Sequence, residues 1–249
     1  GICSRRMVAL MSYRPFAARC ALIILVSVVL MLAMAAGGAD KAAHYLIAGG
    51  ALVPRAGAAP HVFTMMTAMI LPSVCTFAFA DQLVEDCFRA GLTAIRVGSR
   101  RSWARRACIG VALRGGCAAL LGYGAGLGTL LLVGDGDVSG LPGLLVALAL
   151  LALQQALLAV TAGAMALRLG AVEASAAVLG AHFAALCGLS VSPAEWQAVM
   201  VPLVPSAQAV LAWHDALGFL PIWSIVYLTL LLLAAVGLVS RLLASKELL

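Results

Sequence analysis

The chain has 249 residues, of which 64% are hydrophobic and only 10% are charged, and its mean hydropathy is +1.09. This composition excludes a soluble globular domain, a disordered chain and a disulfide scaffold. The net charge is +6, and in so apolar a chain the basic excess reflects loop orientation rather than nucleic-acid binding. The sequence therefore predicts an integral membrane protein that has no room for a soluble catalytic domain.

Six apolar runs are long enough to cross a bilayer, which requires about 20 mostly apolar residues. They cover residues 20–38, 61–80, 107–133, 141–166, 172–189 and 222–243. The polar residues Asp40 and Lys41 follow the first run, and we expect this run to remain as an anchor. We expect an all-α polytopic protein in which residues 1–249 form a single transmembrane domain.

The basic residues predict how the spans are oriented. Of the 16 Arg and Lys residues, only Lys41 and Arg55 fall on one side of the predicted bilayer. By the positive-inside rule, both termini are then cytoplasmic. Trp196, Trp213 and Trp223 fall on the outer side, as an interfacial aromatic belt would. Frequent Arg, Ala and Gly point to a GC-rich bacterial genome, so we expect the bacterial cytoplasmic membrane.

The sequence contains no recognisable motif for binding a nucleotide, a metal ion or haem. No G-x-x-x-x-G-K-[ST] run occurs, and the four His are not stacked at matched depth in the spans. The glycine-rich run 122–128 lies inside an apolar helix and forms two overlapping G-x-x-x-G registers, which predict close helix packing. The seven Cys include no C-x-x-C pair and are expected to be small core residues.

His182 is the one imidazole placed deep in a span, and Gln154 and Gln155 lie at a similar depth. Counted from the turn at Leu169, Gln155 and His182 are each about 20 Å away at 1.5 Å per residue. One interpretation is a hydrogen bond between antiparallel spans four and five, and another is a polar patch on a translocation path. A catalytic role is the third.

Residues 82–97, between spans two and three, have the periodicity of an amphipathic helix. Val84, Phe88, Leu92 and Ile95 recur at three- and four-residue steps, and polar residues share another face. The helix is expected to break at Gly98 and Ser99, before a cluster of four Arg. Such a loop is either a positive-inside anchor at acidic headgroups or a docking site for another protein.

This loop resembles the one that follows the second span in ABC-2 type transporter permeases, where a coupling helix contacts the ATP-binding subunit. The family pattern has an acidic residue, a Gly-Thr-like run and a Ser-Arg pair, although here Leu92 separates Gly91 from Thr93. The matching positions in this sequence are Glu85, Asp86, Arg89, Gly91, Thr93, Arg96, Ser99 and Arg100. The resemblance implies two ABC ATPase subunits and a second permease subunit, identical or related, as partners.

The residues that connect spans five and six predict two short helices on the outer side of the membrane. Ser192, Pro193 and Glu195 resemble a capping box with Pro at the first helical position, which predicts a helix over 193–201. Ser206 can cap a second helix over 206–217, with Gly218 beyond its end. Paired outer helices at this place are also similar to the ABC-2 pattern. Before span one, the basic segment favours an interfacial helix or a disordered tail.

Three functions compete at this stage. The first is the permease of an ABC exporter, which needs no cofactor in this chain because ATP and Mg would bind the partner ATPase. Its substrate would be an amphipathic peptide, a lipid-like or a drug-like molecule, since the spans carry few charges. The second is a membrane-embedded enzyme acting on lipid or peptide, for which only Glu173, His182 and Arg114 are candidates. The third is an assembly or sensory subunit.

Overall fold

The structure is a computed structural model, and it describes residues 2–36, 47, 49, 53, 62–93, 99–133 and 140–245. Within these residues the chain forms nine α-helices and no strand. The helices are α1 (Ile2–Ala36), α2 (Val62–Phe79), α3 (Gln82–Thr93), α4 (Arg100–Val133), α5 (Leu141–Leu169), α6 (Ala171–Val191), α7 (Ala194–Met200), α8 (Leu211–Leu217) and α9 (Pro221–Ser245).

Six stretches of these helices are long and apolar enough to cross a membrane. They are Phe16–Ala36, Met65–Arg89, Arg100–Val133, Leu141–Leu169, Ala171–Val191 and Pro221–Ser245. The second stretch consists of α2, the turn at Ala80 and Asp81, and the first eight residues of α3. The shortest have 21 residues, which at 1.5 Å per residue span about 30 Å, the thickness of a bilayer's hydrocarbon core. The prediction of an all-α polytopic membrane protein with six spans is therefore confirmed.

Two helices extend beyond the predicted spans. The α1 helix is continuous from Ile2 into the first span, so the basic N-terminal segment is neither a separate interfacial helix nor a disordered tail. The α4 helix begins at Arg100, about two turns before the predicted start of span three at residue 107. Ser99 lies just outside it, and the Ser99 hydroxyl accepts a hydrogen bond from the Ser102 amide at 3.2 Å. Ser99 therefore caps α4, which satisfies one of its free N–H groups.

Helix α4 packs mainly against α1 and α5, and glycine permits both contacts. A Cβ atom at Gly122 would lie 2.6 Å from Ile23 Cγ2, and one at Gly126 would lie 2.5 Å from Ser27 Oγ. Gly124 and Gly128, in the other register, face open space. Of the two overlapping G-x-x-x-G registers, only the one starting at Gly122 packs against a neighbour within the described chain.

Between α6 and α9, the chain forms a cap over the ends of α2 and α6. Helix α7 is wholly exposed or half-buried, whereas the first four residues of α8, 211–214, are buried. Trp213 of α8 is only 1% exposed and belongs to a core cluster with Met65, Met69 and Leu186. The prediction that Trp213 is a belt residue is therefore wrong, while Trp196 and Trp223 are 59% and 47% exposed.

The outer helices differ from the predicted ones at their N-termini. Ser192 does not cap α7: its hydroxyl donates to the Gly188 carbonyl at 2.6 Å, and Pro193 occupies the N-cap position. Ser206 lies in a 3-10 turn, Pro205–Ala207, and α8 starts only at Leu211. The predicted end is correct, because Gly218 follows Leu217 with φ of +72° and donates its amide to the His214 carbonyl.

Candidate functional site

Helix α3 follows α2 after a break at Ala80 and Asp81, and an arginine of α1 fixes this junction. The Arg19 guanidinium donates to both carboxylate oxygens of Asp81, at 2.8 and 2.9 Å, and to the Ala78 carbonyl at 2.6 Å. It also lies 3.5 Å from Glu85. The Arg19 side chain is only 19% exposed, and a planar guanidinium holds two carboxylate oxygens at once. The start of α3 is thus attached firmly to α1.

A second arginine attaches α3 to α4. Arg114 donates to the Gln82 side-chain carbonyl at 3.1 Å and lies 3.8 Å from the Asp86 carboxylate. Asp86 is 24% exposed, whereas Arg114 is 40% exposed. Arg114, a candidate of the enzyme hypothesis, therefore serves as a link between two helices.

The third attachment is apolar and joins α3 to α5. Leu83 is completely buried, and a Cβ atom placed on Gly163 would lie 3.1 Å from the Leu83 Cβ. The absence of a side chain at Gly163 therefore lets the two helices approach closely. Three helices that span the membrane hold α3 in place: α1, α4 and α5.

The opposite side of α3 is open. Phe88 is 83% exposed, one of the highest values for an apolar side chain among the described residues. Arg89 is next to it, with its side chain 57% exposed and 3.6 Å from Glu85. An exposed aromatic ring beside a cation is a typical anchor of a protein interface.

The structure divides the predicted coupling residues into three groups. Glu85 and Asp86 form ion pairs within the chain, so they are not displayed freely, while Arg89 is exposed. Gly91 and Thr93 lie in the last described turn of α3, and the predicted end of this helix at residue 97 lies outside the described residues. Arg96 lies outside the described residues. Ser99 and Arg100 belong to the start of α4, where Ser99 has the capping role already described.

The predicted polar patch is one small cavity inside the bundle. Gln154, Gln155 and His182 all line it, together with Tyr123 and Ser206, and its volume is about 40 Å³. One water molecule needs about 10–15 Å³ measured this way, whereas sites for drug-sized ligands have about 300–1,000 Å³. In this conformation the cavity has room for a few water molecules but not for a substrate.

The hydrogen bonds around this cavity differ from the predicted ones. The expected bond between Gln155 and His182 is absent: Gln155 donates to the Thr76 hydroxyl at 2.9 Å, and His182 Nδ1 lies 2.9 Å from Ser206 Oγ. The Gln154 Oε1 atom is buried without a hydrogen-bond partner in the described part of the chain. A buried amide oxygen with no partner is costly, and is therefore a position where a polar group of a ligand or a water molecule would be favoured.

A separate polar cluster lies in the outer cap. Gln208 is fully buried, and its side-chain amide donates to the Val201 carbonyl at 2.6 Å. The Ser224 hydroxyl bonds to the Gln208 side-chain oxygen at 2.5 Å and lies 2.8 Å from His214 Nε2. Burial lowers the pKa of His214 below the usual value for histidine, although backbone contacts such as that with Val210 oppose the shift. This cluster ties the cap to α9.

Neither site has the composition of a metal centre. No group of three His, Cys, Asp or Glu side chains that could hold a metal ion occurs in the described ranges. The six cysteines with described side chains are free thiols. Comparison of the chain with protein-family models, curated proteins and solved structures finds no match.

Sequence reasoning missed three features of these sites. Arg19 and Asp81 are 62 positions apart, so no local pattern connects them. Ser206 was interpreted as a helix cap, although its hydroxyl points to His182. The exposure of Phe88 could not be inferred from periodicity, because an apolar face at a membrane boundary can turn toward the bundle or away from it.

Proposed function

We propose that the chain is the membrane-spanning permease subunit of an ATP-driven ABC exporter, and that α3 receives a separate ATPase subunit. The observation that carries this proposal is the geometry of α3. This short helix exposes Phe88 and Arg89 on one side and is attached by its other side to three spans. A coupling element has to combine an open contact surface with a rigid connection to the helices that move.

The attachments of α3 suggest how motion would pass into the membrane. A force applied at Phe88 reaches α1 through Arg19 and Asp81, and α4 through Arg114 and Asp86. It reaches α5 through the contact of Leu83 with Gly163. Charge-assisted bonds and close packing resist small displacements, so the three spans would shift with the ATPase rather than slide past it.

The remaining features of the proposal follow from this assignment. ATP and Mg would bind the partner, two ATPase subunits would serve two permease subunits, and the complex would lie in a bacterial cytoplasmic membrane with both termini in the cytoplasm. The substrate would be an amphipathic peptide, a lipid-like or a drug-like molecule. Gln154, Gln155 and His182 would line its path after the helices separate, since a cavity of about 40 Å³ cannot admit it.

The test is the association of the ATPase with a variant of Phe88. The complex is purified from its native membrane, the ATPase chain is identified by its nucleotide-binding motif, and Phe88→Ala is compared with Leu220→Ala. Leu220 is 71% exposed near the opposite end of the bundle and serves as the control. Loss of an aromatic anchor typically costs at least about 2 kcal/mol, so Phe88→Ala should weaken ATPase binding about 30-fold at unchanged membrane yield.

Two results would contradict the proposal. If Phe88→Ala retains the ATPase and its transport as Leu220→Ala does, α3 only anchors the chain at the membrane surface. If the purified chain hydrolyses ATP after every partner has been removed, it contains a nucleotide site and is not a bare permease.

One observation favours the enzyme as a second candidate. His182 Nδ1 and Ser206 Oγ are 2.9 Å apart and buried, which is the distance needed between a nucleophile and its base. In the described residues, however, no carboxylate bonds to the His182 ring to orient it. A fluorophosphonate probe applied to the purified chain distinguishes the two functions, because a hydrolase would be labelled at Ser206 and the Ser206→Ala variant would not.

A further inference from the structure

The ends of α4 and α9 form a groove on the outside of the bundle, apart from α3 and from the polar cavity. Its volume is about 430 Å³, which is within the range of sites for small molecules. Three arginines line one end of it: Arg101 and Arg105 of α4, and Arg241 of α9. None of the three forms an ion pair with an acidic side chain in the described part of the chain.

Below the arginines the groove is apolar. Ile109, Leu113 and Leu233 line it and are 38%, 62% and 61% exposed. Gly237 also lines it, and a Cβ atom there would meet no other atom within 4 Å. Because Gly237 has no side chain, the groove is deeper at this point.

The length of the groove matches one leaflet. Eight residues separate Arg105 from Leu113, which is about 12 Å along a helix. Half of the hydrocarbon core of a bilayer is about 15 Å thick. A molecule with an anion at the level of Arg105 and apolar chains extending to Leu113 would therefore fit the groove along its length.

We propose that this groove binds one anionic phospholipid, with its phosphate between Arg101, Arg105 and Arg241 and an acyl chain along Ile109, Leu113 and Leu233. Guanidinium groups bind phosphate oxygens in pairs, which a zwitterionic headgroup satisfies less well because its own cation opposes the arginines. Basic pockets between spanning helices are typical sites for acidic headgroups. A free phosphate would leave the apolar part of the groove unused, so the lipid is the occupant that matches both ends.

The test uses the purified full chain in detergent and native mass spectrometry with dioleoyl phosphatidylglycerol or dioleoyl phosphatidylcholine. The wild-type chain should bind phosphatidylglycerol preferentially. Each arginine near a lipid headgroup contributes about fivefold in affinity, so Arg105→Gln combined with Arg241→Gln should lower phosphatidylglycerol binding about 25-fold. Arg106→Gln is the matched control, since Arg106 is exposed on the same turn of α4 but does not line the groove.

A second pair of variants tests the apolar part. Gly237→Trp fills the groove and keeps all three arginines, so it should reduce binding of phosphatidylglycerol at least tenfold. Gly124→Trp is its control, because Gly124 faces open space on α4 outside the groove. The thermal unfolding temperature of each glycine variant is also measured. Lipid binding is compared between variants that unfold at the same temperature, so that loss of the site is separated from loss of the fold.

Three results would overturn the proposal. Unchanged phosphatidylglycerol binding in the double arginine variant would show that these arginines do not bind the headgroup. Inorganic phosphate that displaces the lipid at equal concentration would make the groove a site for free anions. Dissociation of a dimer by Gly237→Trp in the same spectra would identify a second copy of the chain as the occupant.

Discussion

At the scale of single residues, distant partners hold α3 more strongly than near ones. Glu85 and Arg89 are spaced for a helical ion pair, and they lie 3.6 Å apart, but both are more than a third exposed. Such pairs contribute about 0.3–0.5 kcal/mol. Arg19 makes two charged bonds to Asp81 and a third to a backbone carbonyl while mostly buried. The contact that fixes α3 is therefore the one between α1 and the α2–α3 junction.

Arg19→Gln should lower the free energy of unfolding by about 1–3 kcal/mol, the range for a partly buried charged hydrogen bond. Asp81→Asn should cost a similar amount, and the double variant should cost little more than either single one. Thermal unfolding in detergent measures all three. Arg89→Gln is the control and should cost less than about 1 kcal/mol; additive costs for Arg19 and Asp81 would contradict a direct bond.

The polar cavity offers a second test at the same scale. Thr76→Val removes the acceptor of the Gln155 amide. It should destabilise the chain by about 0.6 kcal/mol and by no more than about 1.7 kcal/mol, the average and the maximum measured for hydrogen bonds between membrane helices. Adding Gln155→Leu should restore part of the loss, because no buried donor then remains unpaired. Thr161→Val is the control, since the Thr161 hydroxyl bonds to the Leu157 carbonyl of its own helix. Equal costs for Thr76→Val and Thr161→Val would argue against the bond between helices.

At the scale of helices, glycine decides which faces of α4 approach a neighbour. Gly122 and Gly126 face α1, and Gly115 faces Ala159 of α5, where an added Cβ would lie 2.8 Å from the alanine Cβ. Gly124 lies on the same helix with no neighbour within 4 Å. The contacts of α4 with α1 and α5 thus depend on the positions of individual glycines, not on the glycine content of the helix.

Gly126→Val should separate α1 from α4 and destabilise the chain by about 1–3 kcal/mol, the usual cost of overfilling a packed interface. Gly124→Val should leave stability nearly unchanged, since both positions have the same backbone and the same added volume. The measurement is the thermal unfolding temperature of each variant in the same detergent. An equal shift for the two variants would mean that helix propensity, and not packing against α1, determines the effect.

At the scale of the whole molecule, the predicted orientation can be tested with cysteines placed on exposed residues of each end. In a background without the native cysteines, Glu195→Cys and Asp215→Cys should react with an impermeant thiol reagent added to intact cells. Arg106→Cys should react only after the membrane is opened. Gln208→Cys is a control for burial, since Gln208 is fully buried beneath the cap. Labelling of Arg106→Cys in intact cells would contradict the predicted orientation, in which residue 106 lies on the cytoplasmic side.

Much of the fold could be predicted from the sequence, because the predictive patterns are local. A run of about 20 apolar residues has to form a helix in a bilayer, where each backbone amide needs a partner within its own segment. The same reasoning located α3 by its periodicity and the end of α8 by Gly218. Helix starts were less predictable, because the hydroxyls of Ser192 and Ser206 bond elsewhere.

The sequence by itself determined that this is a six-span helical protein with a short polar-faced helix between spans two and three, because hydrophobic length and period are properties of neighbouring residues. Only the tertiary structure decided that Arg19 meets Asp81, that His182 meets Ser206 and that Trp213 is buried in the cap. These contacts join residues on different helices, and each depends on which helices are neighbours and how each is rotated about its axis. Burial of apolar residues toward lipid and toward protein looks the same in a membrane sequence, so rotation is decided by packing alone.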